Sequence, residues 1–495
     1  MRQIIASANC VKGTFNRYFN HTVGAGRAHE LLRHEAALQL KTAVEECGFR
    51  YIRFHGIFNE DMAVCIKDEH DNIVYNYQYV DMLFDFLLDI GIRPFLELGF
   101  MPKCLASGEQ TVFFWSSNVT PPADYEQWRA FITDFIRHIT LRYGEDEIKK
   151  WFFEVWNEPN HPGFYSESKD YNKYFELYKV TVEAVKSVCP DYKVGGPATA
   201  GMIWFDIMID WCRENNVPID FFSGHCYCVA GDFDEDGKKD LFLLDEFDAL
   251  VNPIKKHTKM ADDAGLPMYI TEWSSSYSSR DPIHDTYINA PFVLDVIKQL
   301  DGFADSLSYW VYTDIFEEQT PPLTPFHGGF GILNTQSLKK PTYYSFKFLN
   351  EMGNTELVSN DGASYVCKND DGEIEVLFWN YERCKQNKQS NRTFYKKLLP
   401  ANYREKASVE ISDLAPGLYR VFTQEIGFEK GDVYSAYVTG DYGKLETRES
   451  TEVLRRAAEP DSSFRTVMVG DDGRLLLEYE TFDNQVDFLK IEKIG

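Results

Sequence analysis

At 495 residues the chain is long enough for two domains, and with 44% hydrophobic residues it can bury a large core in each. A formal charge of −26 argues against nucleic acid or an anionic membrane as partner. No apolar run reaches the roughly 18 residues that a membrane span needs.

From residue 17 to about 350, short apolar strands alternate with amphipathic helices. Strands are predicted at 18–24, 49–56, 93–99, 151–158, 193–197, 221–227, 268–273 and 306–313. Helices are predicted at 29–46, 79–91, 122–143, 171–189, 205–215, 253–264, 290–300 and 342–351. Gly48 and Gly91 read as helix stops, and Pro121-Pro122 as a helix opening. Eight such units predict an α/β fold, a (β/α)8 TIM barrel over residues 17–350.

Beyond residue 350 the pattern becomes all-β. Strands at 364–368 and 373–380 flank the hairpin turn Asn369-Asp-Asp-Gly372, and 467–469 and 474–479 flank Gly470-Asp-Asp-Gly473 in the same manner. Further strands at 409–411, 417–424 and 486–491, with one short helix at 451–458, predict an accessory C-terminal β-sandwich over 351–495. Residues 1–16 supply a strand that could join either domain, the sandwich being the assignment adopted.

Two strand ends carry chemistry. Trp151-Phe-Phe-Glu-Val-Trp-Asn-Glu-Pro-Asn160 reads as a buried strand stopped by Pro159, which delivers Asn157 and Glu158 to its carboxyl end. Pro267-Met-Tyr-Ile-Thr-Glu-Trp273 does the same for Glu272, about three β-α units later. Barrels bind ligands at that edge. Two acids at matched strand ends, each beside Trp, are the equipment of glycoside hydrolysis. A lone Glu there would more simply cap a strand or pair with an Arg. His55 and Arg53 share a strand face, as do His225 and Tyr227. For the first pair the alternative to substrate binding is a satisfied polar network; for Tyr227 it is aromatic core.

Other patterns point away from cofactors. His225-Cys-Tyr-Cys228 lacks further ligands at zinc spacing, so no metal is expected. Asp232-Phe-Asp-Glu-Asp-Gly237 lacks the distal Glu of a calcium loop and reads as a solvated loop. Gly24-Ala-Gly26 and Gly328-Gly-Phe-Gly331 lack a P-loop lysine and read as tight turns near the barrel mouth. The ten cysteines are scattered with no C-x-x-C pair, which suits reduced thiols in a cytoplasmic protein. The expected partner is a small oligosaccharide; the sequence leaves a homo-oligomer open.

The motifs resemble glycoside hydrolase family 39, and most closely its β-xylosidases, over nearly the whole chain. The likeness rests on Val23-Gly-Ala-Gly-Arg27, Arg53-Phe-His-Gly56, Phe153-Glu-Val-Trp-Asn-Glu-Pro-Asn160, His225-Cys-Tyr227, Ile270-Thr-Glu-Trp273, Trp310-Val-Tyr-Thr-Asp-Ile-Phe-Glu-Glu-Gln319 and Thr324-Pro-Phe-His-Gly-Gly-Phe-Gly331. It departs at Trp273, where Phe is commoner. The resemblance implies a retaining exo-glycosidase with Glu158 as acid/base and Glu272 as nucleophile. It also implies that Asn157 bonds the sugar 2-hydroxyl, and that His55, His225, Tyr227, Trp310, Glu317 and Glu318 contact the sugar. Tyr277 would help position the nucleophile. Without the resemblance, Glu317 and Glu318 read as a solvated acidic loop. A β-xylosidase acting on xylo-oligosaccharides is the leading expectation; a glycosidase for another sugar such as arabinose, or a catalytically silent sugar-binding protein, are the alternatives. A uronate would be repelled by Glu317 and Glu318.

Overall fold

In a computed structural model, the structure describes residues 1–440 and 447–495. Eight parallel strands close into a barrel: Thr22–Arg27, Tyr51–His55, Arg93–Glu97, Phe152–Glu154, Lys193–Ala200, Phe221–Tyr227, Met268–Ser274 and Ser306–Tyr309, each hydrogen-bonded to the next and the last to the first. The expected strands are all present, but several are shorter. The first begins at Thr22 because Tyr18–Asn20 form a turn of 3-10 helix. The first helix is split into Ala28–Leu31 and His34–Cys47. Gly48 ends the second of these in the left-handed conformation that glycine tolerates best. The helix expected from Pro122 starts at Tyr125 instead: Asp124 caps it, accepting from the Glu126 and Gln127 amides, and the prolines lie outside.

Alternation along the strands stacks the barrel interior in layers. Tyr51, Phe95, Phe152, Phe221 and Tyr269 form an aromatic floor, with Phe95 and Phe152 stacked 4.9 Å apart. Two residues further along, Arg53, Glu97, Glu154, Ser223 and Thr271 form a polar layer. His55 and His225 follow two positions above Arg53 and Ser223, at the mouth. Between the sixth and seventh strands the register slips: Gly224 faces Ile270 but His225 faces Glu272. This bulge allows consecutive residues Thr271 and Glu272 both to reach inward.

The second unit is one nine-stranded mixed sheet. Its order is Asp461–Val469, Gly417–Ile426, Val486–Lys493, Ile374–Trp379, Ser364–Lys368, Thr355–Ser359, Arg2–Thr14, Tyr403–Ser412 and Leu475–Phe482. The Asn369–Gly372 hairpin forms as expected. The second does not: Asp461–Val469 and Leu475–Phe482 lie at opposite edges, joined by a turn at 470–473. Laid flat, nine strands would span about 38 Å at ~4.8 Å each, far beyond the ~15 Å reach of that turn. The sheet therefore folds over into two layers. Ile4, Leu357, Val376, Val409, Val421, Leu477 and Leu489 pack between them. The N-terminal strand lies inside this sheet, parallel to Tyr403–Ser412 and antiparallel to Thr355–Ser359. Besides the helix Arg448–Ala457, a second one at Val433–Thr439 was not anticipated.

Three sequence features settle differently. Gly24 and Gly26 are strand residues, not turns; a Cβ on Gly24 would overlap the Trp310 ring, and one on Gly26 the Phe316 ring. The acidic run 232–237 belongs to a hairpin, Val229–Phe233 with Lys239–Leu243, in which Asp234 accepts from the Asp236 and Lys238 amides. The strand expected to reach Thr313 ends at Tyr309. Among the described residues no helix is long and apolar enough to cross a membrane.

Because Arg2–Thr14 fills an interior position, removing residues 2–14 opens the sheet between two strands and exposes the layer around Ile4, which is fully buried. Protein lacking this segment is expected to be aggregated or to lack the cooperative thermal transition of the full chain, measured by size-exclusion chromatography and scanning calorimetry.

Candidate active site

Arg53 organises the barrel centre. Fully buried, it donates through Nε to Glu154 (2.6 Å), through Nη1 to Glu272 (2.7 Å) and through Nη2 to Asn157 (2.9 Å), and lies 3.2 Å from Glu97. Burial disfavours its charge, but the three carboxylates outweigh burial and raise its pKa. His55 Nδ1 lies 2.7 Å from Glu97, and His55 is likewise more basic than usual: burial opposes its charge, and the Glu97 carboxylate overcomes it. Glu154 also accepts from the Thr271 hydroxyl at 2.9 Å. The polar network weighed for His55 and Arg53 is thus present, and it leads directly to Glu272.

Glu272 is held at both oxygens. Arg53 donates to Oε1, and the Tyr227 hydroxyl donates to Oε2 at 2.6 Å. Opposite it, the chain leaves the fourth strand after Glu154 and turns sharply, with Trp156 and Glu158 in left-handed backbone conformations at φ 71 and 43. Such geometry costs on the order of 1–3 kcal/mol per residue and persists only where surroundings impose it. Here the Glu158 amide bonds to the Ala198 carbonyl at 2.9 Å, and the Trp156 indole to the Phe164 carbonyl at 2.8 Å. Glu158 Oε1 lies 2.8 Å from His225 Nδ1.

Donor atoms of Glu158, His225 and Glu272 all lie within 4.8 Å of one another. The two carboxylates are therefore close neighbours, as the acids of a retaining glycosidase, roughly 5–5.5 Å apart, need to be. The same three atoms are the one set among the described residues able to hold a metal ion. The electrostatics divide the two acids. Burial, reinforced by the charge on Glu272, raises the Glu158 pKa well above the ordinary carboxylate value. Burial also pushes His225 well below its usual value, with Arg53 and His55 adding to it, so His225 is neutral. Glu272 keeps two donors, one of them cationic, on its carboxylate. The arrangement sets an acid pushed toward its protonated form opposite a carboxyl group held by a cation and a phenol, the kind of pair from which general acid and nucleophile are drawn.

Both face a cavity of about 690 Å³. His55, Asn157, Tyr227, Tyr277, Trp310 and Glu318 line it too, so most of the expected site residues meet there. Trp310 is 2% exposed, its ring 4.9 Å from that of His55 and 5.6 Å from the Arg53 guanidinium. Tyr277, half-exposed, packs edge-on against Tyr227 at 6.2 Å; the hydroxyl on Glu272 is that of Tyr227. The adjacent glutamates separate. Glu318 lines the cavity and burial raises its pKa to about 7. Glu317 is pinned outside the lining by Arg33, at 2.5 and 2.8 Å to its two oxygens.

Sequence reading missed several members. Glu97 and Glu154 were unmarked, although a charged residue inside each of two apolar strands was a signal. Phe330, His161 and Phe164 also line the cavity. Phe330 is fixed by a buried ion triad: Lys340 lies 2.6 Å from Asp285 and 2.7 Å from Asp314 and donates to the Gly329 carbonyl at 2.9 Å. Asp285 and Asp314 in turn accept from the Gly328 and Gly331 amides, both at 2.7 Å. The second glycine segment, expected to be a tight turn, is an irregular bend with Gly328 in the left-handed region at φ 79, held by these side chains.

A (β/α)8 barrel with two carboxylates facing across a cavity at its mouth is the architecture of a glycoside hydrolase. Residues 3–473 match the Glycosyl hydrolases family 39, and the chain belongs to that family of retaining enzymes. It is 41% identical over 378 residues to a β-xylosidase of Geobacillus stearothermophilus, covering 74% of each chain. It is 42% identical over 342 residues to one of Caldicellulosiruptor saccharolyticus, covering 69% of this chain and 70% of the relative. The crystal structure of a monomeric β-xylosidase from Caulobacter crescentus CB15 superposes over 100% of both chains with a TM-score of 0.96 and 36% identity.

Two outcomes are expected from this geometry. Tyr227→Phe removes a donor to a charged oxygen and should lower kcat roughly 10- to 100-fold, with little change in the thermal midpoint; steady-state kinetics beside a melting curve would show it. Glu158 should titrate at lower pH in Glu272→Gln than in the native protein, because a negative neighbour is lost. Isotope-edited infrared or carbon NMR of the carboxyl would read this, and equal titrations would show that the Glu272 charge is not felt.

Proposed function

We propose that the protein is an exo-acting β-D-xylosidase that releases xylose from the non-reducing end of xylo-oligosaccharides. The observation that carries this reading is the Glu158–Glu272 pair, close enough for double displacement, with the Glu158 pKa raised by burial and Glu272 held by Arg53 and Tyr227. Kinship with the Geobacillus and Caldicellulosiruptor β-xylosidases supports xylose as the sugar.

In the first step Glu272 Oε attacks the anomeric carbon while Glu158 passes its proton to the departing oxygen. Tyr227 and Arg53 hold the attacking oxygens in place, and Asn157, itself fixed by Arg53, is positioned for the sugar 2-hydroxyl. Glu158, now a carboxylate, then deprotonates a water that attacks the glycosyl ester, regenerating Glu272 and the Glu158 proton. Trp310 serves as stacking platform, and His55 and Glu318 as hydroxyl partners. Ten free cysteines suit a cytoplasmic enzyme handling imported oligosaccharides.

A panel of nitrophenyl glycosides tests the sugar: β-xyloside turnover should exceed that of arabinosides and glucosides by at least tenfold. Proton NMR of early product should show β-xylose; α-xylose would exclude Glu272 as nucleophile. Glu272→Ala should lose about three or more orders of magnitude in kcat, and near-native turnover would refute its role. The raised Glu158 pKa sets the pH profile. The acid form is present below that pKa, so the alkaline fall of kcat/KM should come at higher pH than an ordinary carboxylate would set.

A further inference from the structure

Two thiols meet beside the barrel mouth, away from the chemistry described above. Cys65 opens a short hairpin in the loop after the second barrel strand, and Cys104 lies in the loop after the third. They are 39 positions apart in sequence, yet their sulfurs are 2.9 Å apart. Cys104 Sγ also lies 3.2 Å from the Cys65 carbonyl, and the Lys103 amide bonds to the Glu60 carboxylate at 2.7 Å, so the two loops are already docked. Cys47, Cys226 and Cys228 instead bond backbone carbonyls, those of Tyr343, Ala249 and Leu244.

We propose that Cys65 and Cys104 are a reversible oxidation site that closes into a disulfide under thiol-oxidising conditions. A disulfide needs the sulfurs at about 2.05 Å, about 0.9 Å nearer than they stand, a displacement within ordinary thermal amplitude. The two thiols are not equivalent. Cys104 is partly exposed, whereas Cys65 is 3% exposed. Either sulfur can be the donor across the pair, and the Cys104 thiol also donates to the Cys65 carbonyl, so what separates the two is that an incoming oxidant reaches Cys104 first. Cys104 is therefore the attacking sulfur and Cys65 the resolving one.

With glutathione disulfide as oxidant, the Cys104 thiolate attacks one sulfur and expels a glutathione thiolate, leaving a mixed disulfide on Cys104. Cys65 gives up its proton, attacks the Cys104 sulfur and expels the second glutathione. Two thiols of the protein lose two electrons, and one glutathione disulfide becomes two glutathiones. The bond formed would fasten the two loops to each other. The second of them carries Phe113, whose ring stacks 5.7 Å from that of His55, so the fastening lies behind one wall of the cavity.

The test uses the full chain, reduced, freed of reductant and incubated with glutathione disulfide. Thiols are then counted in denaturant and the protein digested without reduction for mass spectrometry. Two of the ten thiols should disappear, one peptide should join Cys65 to Cys104, and dithiothreitol should reverse both. Persistence of all ten thiols, or loss confined to Cys10 and Cys384, would overturn the proposal. In Cys65→Ser the reaction should stop at a glutathione adduct on Cys104; an adduct-free Cys104 would remove its assignment as the attacking sulfur.

Discussion

The site depends on one guanidinium placed where no water reaches it. Arg53 stands among Glu97, Glu154 and Glu272, with no exposed surface of its own. Placing three carboxylates at this depth depends on it, and breaking one such buried pair costs on the order of 3–5 kcal/mol. The planar fork matters as much as the charge. It reaches Glu154, Glu272 and Asn157 with separate nitrogens, a distribution that the single ammonium of a lysine would not reproduce. One residue thereby fixes the orientation of the attacking carboxylate and of the amide expected to meet the sugar.

The acids diverge because their neighbours differ. Glu272 receives a cation and a phenol, while Glu158 receives a neutral imidazole and the field of Glu272 itself. His225 is kept neutral by the same centre, since Arg53 and His55 add to the effect of burial. The protonation states therefore arise as a set. A cation in the layer directly above an aromatic floor thus adds to what burial does to His225, a group to which it is not hydrogen-bonded.

Much of this was legible in the chain. Strand ends at Glu158 and Glu272 announced themselves because Pro159 and flanking tryptophans interrupt apolar runs, and period-two alternation paired Arg53 with His55 and His225 with Tyr227. What sequence does not carry is direction within irregular segments. Glu317 and Glu318 are identical in type and adjacent, yet Arg33 captures one while the other enters the cavity, and only the course of the loop decides which. The turn at 470–473 misled for a similar reason: two glycines around two aspartates specify a reversal, but not whether the strands leaving it pair or belong to opposite layers. Gly24 and Gly26 looked like turn residues because their real constraint, the rings of Trp310 and Phe316, lies far along the chain.

The position of Arg2–Thr14 has a consequence for biosynthesis. Its partners are Thr355–Ser359 and Tyr403–Ser412, so this strand leaves the ribosome well ahead of both. At about 5–20 residues per second the delay is roughly 20–80 s. The barrel segments emerge in between and can close meanwhile. For that interval an apolar strand edge is unpaired, which makes the nascent chain dependent on chaperones or on transient cover until its carboxyl-terminal half arrives.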